Sequence, residues 1–135
     1  KSENQYATLY LSDDDDLIRK KVMKAKTDNG PAAPSSPKPD YIENIFGLMK
    51  LVSSDEVVNR FEEEYNKCTI RYGDMKKQLA EDMVKFISPI REKSESIRNN
   101  PSYLNEVMQK GAEKARKSAR KTMELVRQAM GLNYF

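Results

Sequence analysis

The sequence predicts an all-α fold, a helical bundle of about four to five helices. Two observations lead there. Apolar residues recur three and four apart through most of the chain, and Pro, Gly, Ser and Asn collect at a few narrow positions that punctuate the pattern. The chain has 135 residues, 38% hydrophobic and 33% charged, which suits one domain with a modest core.

Residues 1–11 alternate weakly and form a leading segment. Ser12 followed by Asp13–Asp16 predicts a helix start, since a serine caps and acids favour the positive end of the helix dipole. The first helix then covers 12–26, with Leu17, Ile18, Val22 and Ala25 on one face and lysines crowding its C-terminal end. Residues 27–39 hold four prolines, a glycine and two serines and predict a mobile loop. The bundle proper occupies 40–135. Its first helix carries Tyr41, Ile45, Leu48 and Val52, with Ile42 and Met49 beside them. Ser53 and Glu56 form a capping box that opens the next, with Val57, Val58, Phe61, Tyr65 and Cys68 inward. Tyr72-Gly73-Asp74 reads as a break. Met75, Leu79, Met83, Phe86, Ile87 and Ile90 form the longest apolar stripe, and Pro89 should kink it near Lys85. Asn100 and Pro101 restart a helix as cap and first residue, and Gly131 ends it.

Composition excludes several chemistries. The chain has no His, which removes imidazole base catalysis, His-dependent triads and most zinc sites. Its one cysteine, Cys68, can make neither an internal disulfide nor a metal site alone, and fits a reducing, cytoplasmic setting. No apolar run is long enough to span a membrane, and no membrane partner is expected. Four consecutive aspartates on a helix point in four directions, so no metal site is expected at Asp13–Asp16. The Arg91, Glu92 and Lys93 cluster after Pro89 is read as ion pairing.

The charge is uneven. Residues 1–75 carry 11 basic and 14 acidic side chains, whereas residues 76–135 carry 13 and 7. A polyanionic partner should therefore meet the second half. Between Lys110 and Arg127 there are seven Lys/Arg against two Glu. Lys110, Lys114, Lys117 and Lys121 recur three or four apart, and Arg116 and Arg120 extend the same broad polar surface. Gly111, Ala112, Ala115, Ser118 and Ala119 are small and invite close approach of another helix. Two readings stay open here: a solvated basic face balanced by the acidic stretch Asp55–Glu64, and a surface for a nucleic-acid backbone. Tyr72 and Lys76 flank a glycine and could stack and pair with single-stranded bases, or simply pack at a junction.

Five blocks behind a short leading match carry a resemblance. Lys1-Ser2-Glu3-Asn4 resembles the tail of the Lys-Met-Ser-Lys-Ser signature of class I aminoacyl-tRNA synthetases. Behind it come Leu17–Asp28, Tyr72–Lys76, Pro89–Lys93, Gly111–Arg116 and Met130-Gly131-Leu132, in an order that resembles the C-terminal part of the bacterial-type tryptophanyl-tRNA synthetase family over essentially the whole chain. The resemblance implies a tRNA anticodon-binding domain, tRNA(Trp) as partner, and a fragment that starts within the signature loop. It implies a parent enzyme that activates tryptophan with ATP and Mg2+ and transfers it to tRNA, and that dimerises mainly through a catalytic part absent here. Lys1 and Ser2 match the ATP-contacting end of the loop; the fragment itself should hold no ATP and no complete catalytic set. The alternative from the residues alone is a freestanding basic helical module that binds nucleic acid or an acidic protein.

Overall fold

A computed structural model describes residues 4–132. Among them are five α-helices, one short 3-10 turn and no strand, as the periodicity predicts. The helices are α1 (Asp15–Met23), α2 (Asp40–Val52), α3 (Asp55–Asn66), α4 (Tyr72–Arg98) and α5 (Pro101–Ala129), and the 3-10 turn covers Gln5–Ala7. The chain divides into two compact units at Glu92/Lys93, a boundary that falls inside α4.

The first unit holds one core built by α1 to α4. Ile18 and Val22 come from α1; Ile42, Ile45, Phe46 and Met49 from α2; Val58, Phe61 and Tyr65 from α3. The first part of α4 adds Tyr72, Met75, Leu79, Ala80, Met83, Val84 and Ile87. Phe46 and Tyr65 meet edge to face at 6.2 Å, an arrangement the ring quadrupoles favour. The inward face of α2 is centred one position from the predicted stripe. Phe46 is buried, whereas Tyr41 and Val52 are only half-buried and Leu48 is exposed. On α4, Phe86 and Ile90 are also exposed.

Tertiary bonds move several predicted boundaries. The cap of α1 is Asp14, whose carboxylate accepts from the Leu17 N–H at 2.7 Å, in place of Ser12. Ser53 does not form a capping box. Its hydroxyl donates to the buried Asp82 of α4 at 2.7 Å, and Ser54 stands at the N-cap of α3 without a side-chain bond. Cys68 is exposed and lies beyond α3 with φ +56. There the Thr69 N–H donates to the Glu64 carbonyl and the Cys68 N–H to the Tyr65 carbonyl, which is a Schellman ending with a non-glycine residue in the left-handed position. That turn makes the break, and Tyr72 and Gly73 already belong to α4. Helix α4 continues through Pro89 to Arg98. The Lys85 carbonyl, which loses its donor to the proline ring, belongs to an exposed residue open to water.

The segment 27–39 contains no helix, as predicted, but it is anchored. Asp28 accepts from the Tyr41 hydroxyl at 3.0 Å and from the Gly30 N–H at 2.8 Å, and Lys38 pairs with Glu62 at 2.6 Å. Burial raises the Asp28 pKa, but these donors and Tyr72 outweigh it and hold the carboxyl below its ordinary value.

The four aspartates before and within α1 each have a separate partner. Asp13 binds Lys21, Asp14 caps the helix, Asp15 pairs with Arg91 of α4, and Asp16 with Arg19. Arg19 also clasps Glu81 of α4 with two bonds, at 2.8 and 3.2 Å. Among the described residues, no cluster of His, Cys, Asp and Glu could hold a metal ion.

In the second unit, α5 is the main element and buries no residue. The Asn100 side chain accepts from the Tyr103 N–H at 3.1 Å, with Pro101 as first helical residue. Gly131 takes φ +68 and ends the helix; the Leu132 N–H donates to the Arg127 carbonyl and the Gly131 N–H to that of Gln128. Both predicted ends therefore hold.

Candidate nucleic-acid interface

Helix α5 has 29 residues and is therefore ~40 Å long. Good helix formers such as Ala, Lys, Arg, Glu, Met and Leu fill it between its two caps. Three rows run along it. Leu104, Met108, Ala112, Ala115, Ala119, Val126 and Met130 share the apolar row by three- and four-residue spacing. Lys110, Lys114, Lys117 and Lys121 form the second. Arg116, Arg120 and Arg127 form the third, next to the apolar row. Lys110, Lys114 and Lys117 line one shallow hollow together with Glu113.

Lys110 pairs with Glu106 across one helical turn. Lys114, Arg116, Lys117, Arg120 and Lys121 are exposed and make no ion pair among the described residues. This is the physical difference between a solvated charge and a committed one: these five can take an anionic partner without breaking a bond. Arg127, which lies seven residues beyond Arg120, lengthens the arginine row and was legible from that spacing.

The small residues do not serve the role their size suggested. Gly111, Ala115, Ser118 and Ala119 are exposed and Ala112 is half-buried. A Cβ added at Gly111 would meet nothing within 4 Å. Periodicity identifies a face, but burial of that face requires a surface to meet it.

Tyr72 and Lys76 are placed elsewhere, in the first unit. The Tyr72 ring is buried, with 8% exposure, so it has no face to offer a base. Its hydroxyl is enclosed without a hydrogen bond of normal geometry, yet burial and the nearby Asp28 carboxylate raise its pKa above the ordinary tyrosine value. Lys76 is half-buried and donates to the Ala25 carbonyl at 3.2 Å and the Thr27 hydroxyl at 3.4 Å, tying down the chain just after α1. Both residues hold the fold. Lys1 and Ser2 lie outside the described residues.

Among the described residues the chain is all-helical, and α5 carries a basic face whose cations, Lys110 apart, make no ion pair, a surface of the kind that suits a polyanion. No family model matches the chain. It is, however, 51% identical over 123 residues to the tryptophan–tRNA ligase of Porphyromonas gingivalis, an alignment that covers 91% of this chain and 38% of that protein. It is 36% identical over 124 residues to the ligase of Helicobacter pylori, covering 92% of the chain and 36% of the relative. With the ligase of Aquifex aeolicus the identity is 33% over 125 residues, covering 92% and 32%. The chain spans less than two fifths of the length of these relatives. It belongs to the tryptophan–tRNA ligase family and corresponds to the C-terminal region of its members.

Proposed function

We propose that this chain is the tRNA anticodon-binding domain of a tryptophan–tRNA ligase, and that α5 is its RNA-facing element. The observation that carries the reading is the row of exposed cations on α5 that make no ion pair among the described residues, in a chain of which 91% aligns with a ligase. Phosphate oxygens are met by Lys110, Lys114, Arg116, Lys117, Arg120 and Lys121, with Arg127 extending the row. Lysine ammoniums act as point charges and arginine forks grip two oxygens at once. Such contacts position an RNA strand and supply affinity, while base reading needs separate groups.

The parent enzyme would activate tryptophan with ATP and Mg2+ and pass it to tRNA(Trp), as a cytoplasmic homodimer. Lys1 and Ser2 would stand at the end of the ATP-contacting loop, where a lysine offsets charge on the departing pyrophosphate. ATP and Mg2+ would be held by the part of the enzyme that this chain does not span, so the domain alone activates nothing. No observation favours the freestanding-module alternative.

Binding of transcribed tRNA(Trp) and of an anticodon-substituted control, measured at several salt concentrations, tests the reading. Tighter binding of the native tRNA is expected. Equal affinity for both at physiological salt would overturn anticodon recognition.

A further inference from the structure

Within the first unit, the second half of α3, the turn after it and the first turns of α4 border a groove of about 630 Å3, a size usual for a small-molecule site. Its charge is unlike that of α5. Arg60, Arg71 and Lys77 line it, and so do Glu64, Asp74 and Glu81. Three cations against three carboxylates give no net attraction for a phosphate. Such a lining suits a neutral ligand that presents donors and acceptors together.

The polar groups divide by their commitments. Glu81 is held by Arg19 of α1 at 2.8 Å, and Gln78 donates to Asp82 at 3.0 Å. Arg71 is exposed and makes no ion pair among the described residues. Glu64 stands 3.9 Å from Arg60, too far for a hydrogen bond. Its side chain is 34% exposed against 59% for Asp74, so water competes less for it. The Arg60 guanidinium lies 4.5 Å from the centre of the Phe61 ring. Phe61 is buried while the Arg60 side chain is 55% exposed, so the guanidinium covers the ring and keeps an open side. A planar base stacks on such a surface.

The same groups select among bases. A carboxylate accepts and a guanidinium donates. Together Glu64 and Arg71 match an edge that sets an exocyclic amine next to an unprotonated ring nitrogen, the edge of cytosine and of adenine. Uracil and guanine put a carbonyl in place of the amine and an N–H in place of the bare nitrogen, so each group meets its own kind. The anticodon that pairs with tryptophan's codon UGG is CCA, whose three bases are all of the amino kind.

We infer that this groove is a base-reading subsite for the tRNA: one anticodon base stacks on Arg60, its amine donates to Glu64 and its ring nitrogen accepts from Arg71. This rests on the reading of the chain as an anticodon-binding domain, and adds to it the base selection that phosphate contacts on α5 do not supply.

The test uses the complete ligase and aminoacylation of four tRNA(Trp) transcripts, the native CCA and the single replacements UCA, CUA and CCG. Glu64→Gln keeps the size of the side chain and adds an N–H that donates to a carbonyl. The preference for CCA, as a ratio of kcat/KM values, should fall about 10-fold against one replacement and hold against the other two. Arg60→Ala should lower kcat/KM for the native tRNA on the order of 10-fold, with its salt dependence unchanged, since a stacked base releases no counterion. No change in any ratio for Glu64→Gln, or an equal fall in all three, would overturn the inference. So would a shallower salt dependence for Arg60→Ala, which marks a phosphate contact. A parent ligase that charges all four transcripts alike would overturn the anticodon reading itself, and this inference with it, and is distinguished by being seen before any substitution.

Discussion

Residues 4–92 and 93–132 use the same amino-acid types for opposite purposes. In the first unit charges are spent inside the molecule: Lys21 on Asp13, Arg19 on Glu81, Arg91 on Asp15, Lys38 on Glu62. In the second unit, all five cations between residues 114 and 121 make no ion pair among the described residues. The balance differs too, with 15 basic and 17 acidic side chains in residues 1–92 against 9 and 4 in residues 93–135. Apolar residues follow suit. They make a closed core in the first unit and an exposed row on α5. Among the described residues, eight cations of residues 4–92 make an ion pair, against Lys110 alone in residues 93–132.

The contrast breaks most visibly under core truncation. Phe46→Ala in the first unit should cost about 3–5 kcal/mol, from lost burial and the cavity left against Tyr65. Denaturant unfolding measures it, and a loss below about 1 kcal/mol would mean this core is not the stabilising one.

On the second unit the expected effect is on binding. Arg116→Ala with Arg120→Ala should weaken tRNA(Trp) binding and lower the slope of log affinity against log salt by about one to two, since each lost phosphate contact releases roughly one counterion fewer. Melting temperature should not move. An unchanged slope would place the binding surface elsewhere.

Acid sharpens the comparison from the other side. Asp15 and Glu81 have lowered pKa values, chiefly through hydrogen bonds from Arg91 and Arg19 respectively. At Asp13 burial is the largest influence and raises the value, but bonds from Lys21 and the Tyr10 N–H outweigh it. Groups depressed on folding stabilise fully above their unfolded values and lose that contribution as pH falls through the folded ones. Stability of residues 4–92 should therefore decline below about pH 4. Thermal unfolding across pH 2–6 reads this out; a flat profile would show that these pairs form equally in the unfolded chain.

The smallest effects concern backbone and surface. Cys68→Gly should be neutral or stabilising by up to about 1 kcal/mol, because glycine tolerates the left-handed φ that an L side chain resists. Ala115→Leu, which a buried small-residue face would make destabilising by overpacking, should change stability by less than about 0.5 kcal/mol on the exposed α5. A larger loss would show that this face is covered in solution.

The sequence by itself determined the helices, the ends of α5 and the cationic row. Each depends on neighbours within one or two turns: Asn100 bonds Tyr103 three residues on, Gly131 closes its own helix, and lysines three and four apart share a face through helix geometry alone. The family was legible as well, from the ordered blocks. Only the tertiary structure decided what each polar or aromatic residue is for. Ser53 was drawn from its expected cap by Asp82, 29 residues away; Tyr72 was drawn inside by the core and Asp28; Lys76 was taken by the end of α1. It also decided that Lys21 is buried while its neighbour Lys20 is exposed. These outcomes turn on which partner the folded chain brings within about 3 Å, a competition between distant groups that no local spacing encodes.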